Sequence, residues 1–185
     1  MINQLKCNYF AKMKGDVRKT PSSINLSEIF WSWVGAFLAI GTVSYICFDI
    51  INHIDKIMLI GSFGASAVLL FAVTNSPLAQ PRNVIGGYTI SAFVGVTVYK
   101  LFHSDLWLAS ALAVATAIAI MQLTQTLHPP GGATALIAVI GSKEIHDLGY
   151  WYVVVPVGIG AFVLLSIALI VNNIPKNRSY PLYWY

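Results

Sequence analysis

The sequence predicts an all-α membrane protein: a bundle of about six segments, four long spans plus two short half-helices, formed by a two-fold internal repeat that is inverted. Three observations carry this expectation. With 57% hydrophobic residues, 10% charged residues and a mean hydropathy of +0.71, the 185-residue chain is far more apolar than a soluble domain. Between Glu28 and Lys176 the charges are confined to Asp49, Asp55, Lys56, Arg82, Lys100, Asp105, Lys143, Glu144 and Asp147. They form short clusters that punctuate apolar runs, so they read as loops. Finally, Gly64-Ala65-Ser66-Ala67-Val68 and Gly132-Ala133-Thr134-Ala135-Leu136 match in chemistry 68 positions apart, each between two longer spans. Chance similarity among small and aliphatic residues is the competing reading of that match.

Residues 1–28 read as a basic cytoplasmic tail. Ile2, Leu5, Tyr9, Phe10, Met13 and Val17 recur at helical spacing among Lys6, Lys12, Lys14, Arg18 and Lys19, which suggests an amphipathic helix on an anionic leaflet. A frayed tail whose lysines only set topology is the alternative. The first repeat unit, residues 29–101, opens with an uncharged run from Ile29 to Phe48, long enough to cross a hydrocarbon core of about 30 Å. Trp31 and Trp33 stand where an interfacial aromatic belt belongs. Ile57 to Val73 follows, and its glycine- and serine-rich first half predicts a short helix starting near Ser62 or Gly64. A polar hairpin with two prolines, Thr74 to Asn83, leads into the third span, Val84 to Tyr99. Gly87, Ser91 and Gly95 make a small-residue stripe there, read as packing.

The second unit, residues 102–172, begins with Leu106 to Met121, entered through Trp107. A polar break then holds Gln122, Thr124, Gln125, Thr126, His128, Pro129, Pro130, Gly131 and Gly132 within a stretch free of Lys, Arg, Asp and Glu. Two consecutive prolines cannot continue a helix, so the backbone opens. In hydrocarbon an opened backbone survives only where protein buries it or a wet cavity receives it. Gly132 to Ile140 is too short to cross alone. Leu148 to Val171 is a full span that Pro156, Gly158 and Gly160 are expected to kink, and residues 173–185 form a C-terminal tail.

Loop charge places eight Lys and Arg inside, in the two tails and at Arg82, against Lys56, Lys100 and Lys143 outside. A four-span arrangement with two re-entrant hairpins gives the same ratio, so charge does not separate the two. The inverted arrangement brings the short helices in from opposite faces, with their N-termini meeting near the midplane. Unpaired N–H groups and the helix dipole make such ends an anion site. The candidate substrate-binding residues are therefore Ser62, Gly64, Ser66, Asn75, Gln80, Arg82, Asn83, Gln125, His128, Pro129, Pro130, Gly131, Gly132 and Thr134. His128 can equally cap the preceding helix, and Arg82 can equally be a topology-setting charge. His53, His103 and His146 lie in charged loops and read as solvated.

His128-Pro129-Pro130-Gly131-Gly132-Ala133-Thr134-Ala135, together with Gln80-Pro81-Arg82-Asn83 and Gly86-Gly87, resembles the HPP family of integral membrane proteins over roughly residues 28–172. The resemblance implies a compact bundle of four or more spans, and cyanobacterial and plastid members are regarded as nitrite transporters. Relatives often carry histidine after the Gly-Gly pair, where this chain has Tyr88.

Catalysis is not expected: no nucleophile, base or carboxylate pair comes together, and no His or Cys spacing suits a metal. Cys7 and Cys47 read as incidental. The expectation is an inner (plasma) membrane, multi-pass transporter or channel for a small inorganic anion, nitrite first, with both termini cytoplasmic. Its partners are the anion, the lipid bilayer and further copies of itself, not nucleic acid, and no cofactor is implied. A non-transporting membrane scaffold or accessory subunit is the alternative.

Overall fold

A computed structural model describes residues 25–46 and 56–185, and the expected amphipathic helix of the N-terminal tail lies outside them. Seven α-helices are formed among the described residues. Helix α1 (Leu26–Tyr45) is capped by Asn25, whose side chain accepts from Ser27 N at 3.1 Å and Glu28 N at 3.3 Å. Helix α2 (Lys56–Ala67) runs on through a wider π-turn, Val68–Ala72. After the 3₁₀ turn Pro77–Ala79, helix α3 (Pro81–Phe102) starts with Pro81 in its first turn, where a missing N–H costs nothing. Helix α4 is Leu106–Leu123, α5 is Pro130–Ile140 and α6 is the short Lys143–Leu148. Helix α7 (Ile159–Val171) is preceded by a π-turn, Val153–Gly158, in which Val155 leaves helical geometry before Pro156. That is the expected kink, at the expected proline.

Polar contacts fix which ends lie together. Arg178 pairs with Glu28 at 2.6 Å, Asn172 Nδ2 donates to Leu70 O at 2.8 Å, and Arg82 Nη2 donates to Thr124 O at 2.9 Å. The starts of α1 and α3 and the ends of α2, α4 and α7 therefore share one end of the bundle. At the opposite end, Tyr99 stacks on His146 and Thr97 Oγ1 meets Tyr150 Oη at 3.2 Å. Helix α5 connects the two ends, because His128 before it is bonded to Leu78 O and Val139 near its end is bonded to His146. Six segments thus run alternately between the two ends, and neither short helix turns back as a re-entrant hairpin would.

One core joins α1, α2, α3 and α7 around Phe63, Leu70, Phe71, Leu164 and Tyr152. A second packs α3, α4 and α5, with Ala109, Ala113, Ala117 and Met121 forming the inward stripe of α4. The outer faces of α1 and α4 stay apolar and exposed, as at Phe37 and Trp107, which suits helices bathed in lipid.

Helix α2 departs from expectation. It is already helical from Lys56, so Ser62 and Gly64 lie inside it rather than at its start. The glycines and serines weaken local propensity, but burial of Phe63, Ser66 and Ala67 against neighbouring helices outweighs a deficit of about 1 kcal/mol per glycine.

Candidate functional site

Helix α3 is the surface on which the central break is folded. A methyl carbon built on Gly86 would lie 2.6 Å from Thr126 Cγ2, on Gly87 2.5 Å from His128 Cβ, and on Gly95 2.6 Å from Ala135 O. A Cβ on Gly131 would lie 2.5 Å from Ser91 Oγ on the facing helix. The small-residue stripe is therefore packing, as read, and what it admits is the Thr126–Ala138 segment.

The break itself is orderly. Helix α4 ends in a Schellman motif: Gln125 adopts φ 57°, Thr126 N donates to Met121 O at 2.8 Å and Gln125 N to Gln122 O at 3.2 Å. Arg82 reaches Thr124 O, and Asn83 Nδ2 donates to Leu127 O at 2.9 Å. The two signature segments are physically joined, one supplying donors for carbonyls the other leaves open.

His128 is fully buried at this junction. Its Nδ1 lies 2.8 Å from Leu78 O and its Nε2 lies 2.7 Å from Ser66 Oγ on α2. Ser66 Oγ is 2.7 Å from Tyr88 Oη on α3, and Tyr88 Oη donates to Ser62 O at 3.0 Å. A carbonyl only accepts, so Nδ1 carries hydrogen, and in a neutral ring Nε2 takes the Ser66 proton. The polar chain begins and ends on carbonyls and has four links. Neutral histidine, serine and tyrosine bring three protons to it, so one link is always short of a hydrogen.

The structure brings Ser62, Ser66 and His128 together and adds Tyr88. Tyr88 is not among the residues that the sequence marks for the site, although a tyrosine within an apolar span needs a hydroxyl partner. The other candidates serve differently. Gln80, fully buried, donates to Thr74 O and Ser76 O and accepts from Leu182 N at 2.9 Å, tying the hairpin to the C-terminal tail. Thr134 Oγ1 donates within its own helix, to Pro130 O at 3.2 Å. Asn75, Gln125 and Pro129 are exposed, Gly64 and Gly132 are half-buried, and Pro130 and Gly131 sit in the α3–α5 contact.

The expected meeting of two helix N-termini is overturned. Helix α2 starts towards the end of the bundle opposite to the start of α5, and it is the later part of α2, at Ser66, that faces His128. The positive start of one helix lies beside the C-terminal half of an antiparallel one, so their dipoles oppose there. Gly131 N and Gly132 N are moreover already bonded, to His128 O at 2.8 Å and Pro129 O at 3.0 Å. Glycine weakens a helix without starting it, and Gly61 and Gly64 both lie inside α2.

Further polar residues, unnoticed in the sequence, organise the tail end. Arg178, with 5% side-chain exposure, bonds Glu28, Ser32 Oγ and the Glu28 and Phe71 carbonyls. Tyr180 Oη donates to Ala79 O at 2.6 Å, and burial pushes that phenol above its usual range, keeping the donor protonated.

Among the described residues, four helical stretches of at least 18 residues, with Val153–Val171 taken as one, are apolar and long enough to cross a bilayer, and two shorter apolar helices lie among them. With a buried polar chain where three helices converge, this is a polytopic α-helical membrane protein. Residues 21–181 match the family model described as HPP, transmembrane region, and the chain belongs to the HPP family. Two proteins of Dictyostelium discoideum, named only as transmembrane proteins, are each 44% identical to it, one over 182 residues and one over 181. Each match covers 96% of this chain, but only 57% and 63% of the respective relative, so the chain spans about three fifths of their length. No solved structure matches.

Proposed function

We propose that the protein is a transporter or channel for a small inorganic anion, with nitrite as the first candidate and the His128–Ser66–Tyr88 chain as its central site. The observation that carries this reading is the complete burial of that chain where α2, α3 and α5 converge. Ionisable side chains inside a membrane bundle are costly and are kept for solute paths and relays. No carboxylate lies between Leu106 and Ser142, so the surroundings favour an anion over a metal cation. Serine, tyrosine and the imidazole N–H supply donors once the chain opens. Opening comes from motion of the second unit, residues 102–172, against the first, with the two units acting as inverted repeats. Residence in the cell's inner (plasma) membrane as a homo-oligomer with cytoplasmic termini completes the proposal, supported by the basic tails and by the Arg178–Glu28 contact that puts both described ends together.

Flux of nitrite, nitrate, chloride and formate into proteoliposomes tests it. Nitrite entry above empty vesicles is expected, and Ser66→Ala is expected to lower it about tenfold, the loss of one hydrogen bond to an ionised group. No flux of any anion ends the reading and leaves a non-transporting scaffold or accessory subunit.

A further inference from the structure

At the bundle end opposite the Glu28–Arg178 contact, a cavity of about 60 Å³ lies between the last turn of α3 and helix α6, lined by Val96, Tyr99, Lys100, Ala138, His146 and Gly149 among others. The space exceeds what a single water needs and admits a small oxyanion. Its walls are mixed. His146, read from the sequence as solvated, is half-buried: it lies flat on Tyr99 with ring centroids 3.7 Å apart, and its Nε2 donates to Val139 O at 3.2 Å. Lys100 Nζ lies 5.5 Å from the Tyr150 ring centroid. Gly149, at φ 52° and ψ −130°, takes a turn that an L side chain resists, and a Cβ built there would lie 3.7 Å from Lys100 Nζ.

Asp147 is held by Lys143 at 2.9 Å, Asp105 is bonded to Ser104 and Glu144 to Ser142. Among the described residues Lys100 has no carboxylate partner. Beside a cavity with partly polar walls, a lysine with three donors, an aromatic face and, among the described residues, no carboxylate partner attracts a compact anion. The cavity also stands at one end of the α3–α5 seam. From Val96 and Ala138 the close contacts continue through Gly95 and Ala135, then Ser91 and Gly131, to Gly87 and His128.

We infer that this cavity is a second, peripheral binding site for a small oxyanion, held by Lys100 beside the Tyr99–His146 stack, which loads the seam leading to His128. The loading role rests on the transport reading, whereas binding does not. The test uses full-length protein in low-salt detergent with sodium nitrite as the probe and sodium chloride as the comparator, measuring the rise in melting temperature with anion concentration. Wild type is expected to be stabilised by nitrite more than by chloride. Lys100→Gln, at an exposed position, is expected to keep the anion-free melting temperature and weaken apparent nitrite affinity about tenfold or more. Ser66→Ala is expected to keep the wild-type affinity at this site. Equal nitrite affinity in Lys100→Gln and wild type, or no stabilisation of either, overturns the site. Flux after reconstitution of the same proteins into liposomes separates the two failures: flux without Lys100-dependent binding removes only this site, while binding without flux removes the transport reading.

Discussion

Gly87 has no room for a methyl group, because the position a Cβ would take is 2.5 Å from His128 Cβ and 3.1 Å from Thr126 O. Gly87→Ala is therefore expected to lower stability by about 1–3 kcal/mol through overpacking, read as a fall in melting temperature in detergent. An unchanged melting temperature would show that the break does not press on α3. Tyr88→Phe makes a different test, since it keeps the ring against Phe63 and His128 and removes only the hydroxyl between Ser66 and Ser62 O. A stability loss of about 1 kcal/mol is expected, with a larger fall in anion flux than in stability. The sequence exposed His128 through its prolines and Ser66 through the short helix, but it hid Tyr88. One tyrosine on an apolar helix gives no sign of its partner until the neighbouring helix is placed.

At the scale of elements, the kinked final helix was legible because proline acts locally, and the break between α4 and α5 was legible because Pro129 and Pro130 forbid one helix from running through both. The start of α2 was not, because burial of Phe63 and Ser66 overrides local preference. The tail was illegible for a related reason: Arg178 acts on Glu28, Ser32 and Phe71, more than 100 positions away in each case. Its guanidinium donates to Phe71 O, where α2 unwinds, and to Glu28 O in the first turn of α1, and a planar fork does this better than an ammonium. Arg178→Ala is expected to cost about 1–3 kcal/mol, and Arg178→Lys to recover less than half of it, checked by thermal melts. Full recovery by lysine would mean that charge alone matters there.

At the scale of the whole molecule, the six alternating segments among the described residues place the hairpin at Asn75 and the tail at Asn177 at one end of the bundle and Lys143 at the other, so the two ends are expected on opposite sides of the membrane. A four-span molecule with re-entrant hairpins separates Asn75 from Asn177 instead. Single cysteines at these positions, in a background with Cys7 and Cys47 replaced by serine, are expected to give matching labelling for Asn75→Cys and Asn177→Cys and the opposite sidedness for Lys143→Cys. Apolar run lengths gave the six segments, but charge counts left their direction open. The hydrogen bonds between distant ends decide it in the fold.

The central claim is that the buried histidine chain, shared by α2, α3 and α5, is where a small anion passes. Initial nitrite uptake into proteoliposomes by wild type and by His128→Gln, with the two proteins matched for melting temperature and insertion, tests it most directly. Uptake above empty vesicles in wild type and its loss in His128→Gln is the expected result; equal uptake by the two proteins would contradict the account.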